Sequence, residues 1–243
     1  MKQRVTTAQD IASLGSILSI WAHPDDETFS CAGIMAIAVA NGQNVACITA
    51  TKGEAGVQDE SRWPAAELAS IRANELADAL AIVGVHHHHW LGYHDGRCQD
   101  VDDQQAAGQL AEYINLYQPD TILTFGPEGM TGHPDHKSIS RWVSAAVRLS
   151  STKPEIYHSV QLEETYEKYL KSADKQFDIF FNIDKPPLVT ADVCDICVNL
   201  PKDACDKKCR ALAAMPSQTE GMLHHFGDKR TKVFGQETFV RAK

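Results

Sequence analysis

Ser16-Ile17-Leu18-Ser19-Ile20-Trp21-Ala22-His23-Pro24-Asp25-Asp26-Glu27 is the stretch on which the reading of this chain turns. Its first half is a short, nearly unbroken apolar run, as expected of a strand buried on both faces of a parallel sheet. Its second half stops that strand at a proline and offers carboxylates where a helix would begin, a position that favours negative charge. A helix of small and apolar residues follows over Thr28–Ala40 and closes at Asn41-Gly42. Strand, polar turn and helix in that order open a βαβ unit.

The alternation continues outward from there. Asn44–Ala50 reads as a second strand leading into the loop Thr51–Gly56. Pro64–Val83 is an amphipathic helix with Pro64 near its start and Gly84 just past its end. A third strand ends at Trp90-Leu91, and Asp102–Tyr117 forms the next helix. Thr121–Phe125 is the fourth strand, followed by the Gly126–Gly132 loop and a helix over Pro134–Leu149. Beyond Ser150 the spacing changes: Ile156–Val160, Phe177–Ile183 and Val189–Leu200 look like strands, with helices near Glu163–Ser172 and Lys202–Ala214. No linker or repeat divides the chain. The expectation is one α/β domain over residues 1–243: a doubly wound, mostly parallel sheet between helices in three αβα layers, with a C-terminal elaboration.

Composition narrows the class. A hydrophobic fraction of 43% with 23% charged residues is that of a soluble globular protein. A formal charge of -9 without any Lys/Arg run argues against a nucleic-acid partner. No run approaches the ~18 apolar residues of a membrane span. Met1-Lys2-Gln3-Arg4 before an apolar segment faintly imitates a secretory signal, but cleavage there would remove His23, so a cytoplasmic protein is expected. The 7 cysteines are too few and scattered for a disulfide scaffold. Cys194-x2-Cys197 and Cys205-x3-Cys209 suit free thiols on a strand and a helix better than a structural zinc site.

A second motif, Gly132-His133-Pro134-Asp135-His136, follows the fourth strand as the first follows strand one. In the strand order 3-2-1-4 these two strands are neighbours at the switch point, where ligand sites form beyond the strand ends. Either motif alone could be a helix cap; together they supply a catalytic metal's ligand set. Two histidines and a carboxylate leave a position open on zinc, and His23, Asp26 and His136 are the natural ligands. Asp25 is then placed as general base for a metal-activated water. His133 is left as proton donor or oxyanion stabiliser, with Asp135 expected to orient its ring. The run His86-His87-His88-His89 looks like a metal tag, but on a strand neighbouring rings point to opposite faces.

These motifs are similar to those of the PIG-L/LmbE-like zinc N-deacetylases. Thr51-Lys52-Gly53-Glu54, Ile71-Arg72-Ala73-Asn74-Glu75-Leu76 and Leu91-Gly92-Tyr93-His94-Asp95-Gly96 extend the match in the family's order. The resemblance implies a Rossmann-like fold and removal of acetyl groups from N-acetylglucosamine-type amides of small-molecule substrates. It implies one zinc ion per chain, with Fe2+ as another candidate metal, and a homo-oligomer as an open state. It also implies that Arg72 and Asp95 hold sugar hydroxyls of the substrate or a neighbouring group, with Glu54 as a further substrate-binding residue. Two departures stand out: Thr131 where some members have tyrosine, and Met215 in a segment where members often have a histidine before a Ser-Gln pair. An alternative enzyme is a hydratase of an unsaturated acid, whose anionic substrate would want arginines, with Arg62, Arg72 and Arg97 as candidates. A non-catalytic binding module would be marked by loss of Asp25 or a ligand, and all are present.

Overall fold

A computed structural model describes residues 4–180, 182–183 and 187–243. The apolar run that opened the reading forms β1 (Ile17–Trp21), with all of its residues buried. Ser19 is tolerated there because its hydroxyl lies 3.4 Å from Met35 Sδ. β2 (Val45–Thr49) and β4 (Thr121–Phe125) flank it in parallel, so that Ile17 pairs with Val45 on one side and Thr121 on the other. β3 (His87–Trp90) and β5 (Glu155–Ser159) add outside them, also in parallel. The order β3-β2-β1-β4-β5 contains the expected 3-2-1-4. The sheet then continues through β9 (Gln236–Arg241) and β8 (Ile196–Asn199), both antiparallel to their neighbours. A separate parallel pair joins β6 (Gln161–Leu162) to β7 (Leu188–Val189).

The helices follow from their ends and their small residues. α1 (Asp26–Ala40) is buried on most sides, between the sheet and α7 (Lys202–Ala213). A Cβ on its Gly33 would sit 2.3 Å from Leu200 Cδ1, so any larger residue there would force the Leu200 side chain to move. α2 (Ala65–Val83) begins after Pro64 and ends on Gly84, whose φ of 92° is the left-handed C-cap geometry. α3 (Asp103–Tyr117) is capped by Asp102, which accepts from the N–H groups of Gln104 and Gln105. α4 (Pro134–Leu149) starts with proline in its first turn and His133 at the N-cap. α3 and α4 pack against each other, while α1, α2 and α7 form another group.

The C-terminal third departs from expectation. Phe177 does not begin a strand; it ends α6 (Lys171–Phe177), which follows α5 (Glu163–Thr165) and a π turn over Tyr166–Leu170. The Asp174 carboxylate accepts from the Phe180 N–H at 3.1 Å and from Tyr166 Oη at 2.7 Å, turning the chain where the apolar run suggested extension. Residue 181, inside that expected strand, lies outside the described residues. Val189–Leu200 is likewise broken. Thr190 O accepts from Val193 N at 3.2 Å to close a 3-10 turn between β7 and β8. α8 (Pro216–Phe226), α9 (Arg230–Phe234) and β9 were not anticipated at all. All seven cysteines are free thiols. Among the described residues no helix is long and apolar enough to cross a membrane.

Candidate metal centre

β1 and β4 are adjacent, so the loops leaving their carboxyl ends meet in one crevice. His23 Nδ1 and His136 Nε2 lie 3.2 Å apart although 113 positions separate them in sequence. Each ring directs its other nitrogen to an acceptor. His23 Nε2 is 2.9 Å from Asp95 Oδ1 and 3.2 Å from Asp135 Oδ2. His136 Nδ1 is 2.9 Å from Gly129 O and 3.3 Å from Thr131 Oγ1, and Phe125 stacks on the ring at 3.9 Å. Protons placed on those outer nitrogens leave two lone pairs facing each other, which a cation or a proton must separate. Asp26 completes the corner, with Oδ2 3.5 Å from His23 Nδ1 and Oδ1 3.4 Å from His136 Nε2.

These separations suit a metal. Ligand atoms at ~2.0–2.1 Å from a tetrahedral zinc lie about 3.3–3.4 Å from one another; the two imidazole nitrogens are 3.2 Å apart, and each has a different Asp26 oxygen within 3.5 Å. Imidazoles backed by carboxylates or a carbonyl are the usual outer support of such ligands. Charge agrees with geometry. Burial works against a charge on His23, but hydrogen bonds from its ring to Asp135, Asp26 and Asp95 override it and raise its pKa well above the ordinary value. The corner therefore attracts positive charge. Burial works to raise Asp26 too, yet the His136 and His23 rings reverse this and keep it ionised, at about 2. Burial depresses His136 to about 4, leaving a neutral ring with a free lone pair.

Asp25 sits at the strained entry to α1, with φ of 119° in a region where L residues are rare. Its carbonyl accepts from Thr28 and Phe29 and so starts the helix. Burial pushes its carboxyl up to about 7 against the opposing charge of Arg72, whose Nη2 is 3.2 Å from Asp25 Oδ2. His133 Nδ1 accepts from the Asp135 N–H at 3.2 Å, so the proton of the neutral ring resides on Nε2. Its ring stands edge-on to His23 with centroids 4.8 Å apart.

The predicted residues gather at this corner, and one of them, Asp135, has different neighbours from those expected. The Asp135 carboxylate does not orient His133. It faces His23 Nε2 and accepts from the N–H groups of Gly96 (2.7 Å) and Cys98 (3.0 Å), because helix capping already occupies His133 Nδ1. Asp95 is committed in the same way, holding His23 Nε2 with one oxygen and the Ala55 N–H with the other. Arg72 is buried, its fork bonded to Gly53 O and Pro24 O, both at 2.7 Å, as well as to Asp25. Of the two roles expected of Asp95 and Arg72, these contacts are those of residues that hold a neighbouring group: the His23 ring and the Ala55 loop for Asp95, the Asp25 carboxylate and two loop carbonyls for Arg72. Glu54 Oε1 accepts from the Asp95 N–H at 3.1 Å, one step further out.

Other participants had no reading in sequence. Glu27, quoted in the first motif without a role, is fully buried behind it and pushed up to about 8 by burial, so it stays protonated. Lys208 and Glu237 form a buried ion pair at 2.8 Å. Lys208 donates to Phe29 O, and Glu237 accepts from the N–H groups of Gly33 and Ile34, clamping α1 one to two turns beyond Asp26. Only their helical and strand neighbours could have hinted at burial; a charged residue ordinarily reads as surface. Ser217 and Gln218 tie α8 to Glu75 and Gly56 O.

The class defined by this fold and corner is an α/β protein with a His/Asp cluster that could hold a metal ion at the sheet's switch point. More particularly, the chain belongs to the PIG-L family, described as GlcNAc-PI de-N-acetylase, whose model matches residues 18–147. It is 30% identical over 227 residues to a 1D-myo-inositol 2-acetamido-2-deoxy-alpha-D-glucopyranoside deacetylase from Mycobacterium sp. (strain JLS), covering 83% of this chain and 73% of that one. In three dimensions it is similar to the N,N'-diacetylchitobiose deacetylase from Pyrococcus horikoshii (TM-score 0.68, 19% identity, 97% and 86% of the two chains). It is also similar in fold to the 4-carboxy-2-hydroxymuconate hydratase from Pseudomonas putida KT2440 (TM-score 0.63, 16% identity, 94% and 99%).

Proposed function

We propose that this protein is a metal-dependent amidohydrolase that removes the acetyl group from an N-acetylglucosamine-type small molecule. It would act as one domain, in the cytoplasm, with one zinc ion per chain. The observation that carries the reading is the pair of facing imidazole lone pairs, 3.2 Å apart, with Asp26 against both. The deacetylase names of its relatives supply the substrate class.

His23 Nδ1, His136 Nε2 and an Asp26 oxygen would hold the ion. Bound there, it would polarise the amide carbonyl and make water a nucleophile at neutral pH. Asp25 takes the proton from the attacking water, held in place by Arg72. His133 Nε2–H donates to the carbonyl oxygen as negative charge develops on it, a contribution worth ~3 kcal/mol per donor. The proton taken up by Asp25 then passes to the sugar nitrogen as the C–N bond breaks, releasing acetate and the free amine. Asp95 and Asp135 act through His23 by fixing its ring and its Nε2–H proton.

The hydratase reading loses the arginines it would want. Arg72 is committed to main-chain carbonyls and Asp25, Arg62 is paired with Glu220, and Arg97 lies 3.3 Å from Asp100. Acetate release from a panel of N-acetylglucosamine derivatives by zinc-loaded protein tests the proposal, with Asp25→Asn as control. Release that falls at least about 100-fold in the variant supports it. No release from any panel member by metal-loaded protein contradicts it.

A further inference from the structure

Beside Asp25, Asp26 and His136 opens a cavity of about 280 Å³. Phe29 closes it from α1 and Met130 from the loop after β4. The remaining wall comes from the chain beyond Ser150, with Leu162, Phe180, Met222 and Phe234 presenting apolar surface. All of that remaining wall lies outside the stretch matched by the family model, residues 18–147. The cavity is therefore built largely from the part of the chain that the shared motifs do not specify.

Its polar groups are largely engaged with one another. Lys208 and Glu237 neutralise each other and bond α1. Thr238 Oγ1 donates to Val160 O at 2.7 Å, Thr165 Oγ1 to Gln236 Oε1 at 3.1 Å, and Gln161 Nε2 to Leu162 O at 3.2 Å. A polyol placed here would leave several hydroxyls without partners, each at a desolvation cost. An apolar group would meet complementary surface. Apolar cavities of roughly 150 Å³ already take up benzene, and this one is larger.

We propose that the cavity receives an apolar group of the substrate, an aryl or short alkyl moiety carried by the amino sugar. This rests on the deacetylase reading and narrows it: the preferred substrate is a hydrophobic amino-sugar derivative, not a polyol conjugate. Two sources could supply that group, an aglycone on the anomeric carbon or a lengthened N-acyl chain.

Two ligand ladders decide both points by calorimetric binding to the metal-loaded protein. One comprises methyl, butyl and hexyl glycosides of glucosamine; the other comprises N-acetyl, N-butanoyl and N-hexanoyl glucosamine. Along the ladder that enters the cavity the Kd should fall by about fourfold per methylene until the space is filled. The myo-inositol glycoside should bind no more tightly than the methyl glycoside. Met222→Glu, and separately Ile179→Asn at another apolar residue lining the cavity, should flatten the rising ladder. Two flat ladders, or tightest binding by the inositol glycoside, would overturn the proposal. Acetate release from the N-acetylated methyl glycoside, measured in parallel, keeps the two readings separate. A rising ladder without turnover upholds the apolar cavity and contradicts the hydrolase; turnover with flat ladders does the reverse.

Discussion

His23, His133 and His136 converge at the ends of β1 and β4, whereas His86 to His89 run along the edge of the sheet on and before β3. The two regions use the same side chain in opposite ways. At the crevice, ring nitrogens point at each other and three aspartates surround His23. On β3 the rings alternate: His88 Nε2 meets Thr49 Oγ1 at 3.0 Å, and His89 Nε2 meets Tyr117 Oη at 2.5 Å. Among the described residues no carboxylate is hydrogen-bonded to that run. What makes a metal centre is convergence and carboxylate backing, not the number of histidines, and strand geometry denies both to consecutive residues.

The comparison can be broken most severely at the ligands. Asp26→Ala or His136→Ala should abolish stoichiometric metal binding and reduce turnover to background, whereas a triple alanine variant of His86, His87 and His89 should keep its full metal content. Asp25→Asn should retain the metal and lose roughly 10²–10⁴-fold in turnover, because it removes the base and leaves the ligands in place. Asp95→Asn, one layer further out, should weaken metal affinity about 10–100-fold through its hydrogen bond to His23; a competition titration with a chelator reads this directly.

The β3 run should show its character in stability. Burial depresses His88 from 6.5 to about 4, with the neighbouring His89 charge adding to the effect. Between those values the unfolded chain takes up a proton that the folded chain refuses. Stability should therefore fall by roughly 2–3 kcal/mol as the pH drops from 6.5 to 4, and be fully present above that window. His88→Phe should remove that part of the slope in denaturant titrations across the window, while leaving metal content unchanged.

Much of the first region was legible because local rules and topology agreed there. Ile17–Trp21 is apolar enough for a central strand, Pro64 and Gly84 bracket α2, and Pro134 after His133 marks the start of α4. Adjacent strands then bring the two motifs together without any further information. What stayed hidden were the second partners of side chains. Nothing local to Asp95 or Arg72 indicates which group each would engage, so a sugar hydroxyl and a neighbouring side chain such as His23 or Asp25 read alike. The C-terminal third was hardest for the same reason. Asp174 turns the chain through a side-chain bond to Phe180, and Glu237 sits fully buried in β9 only because Lys208 and α1 lie beside it. Those are tertiary facts, and an apolar run or an isolated charge carries no trace of them.

Metal content by elemental analysis, on three zinc-incubated and desalted proteins, tests the central claim most directly: the native chain, His23→Ala/His136→Ala, and His86→Ala/His87→Ala/His89→Ala. One ion per chain in the first and third, with none in the second, is the expected result. An ion retained in the crevice variant and lost from the β3 variant would place the metal on the histidine run and contradict the account.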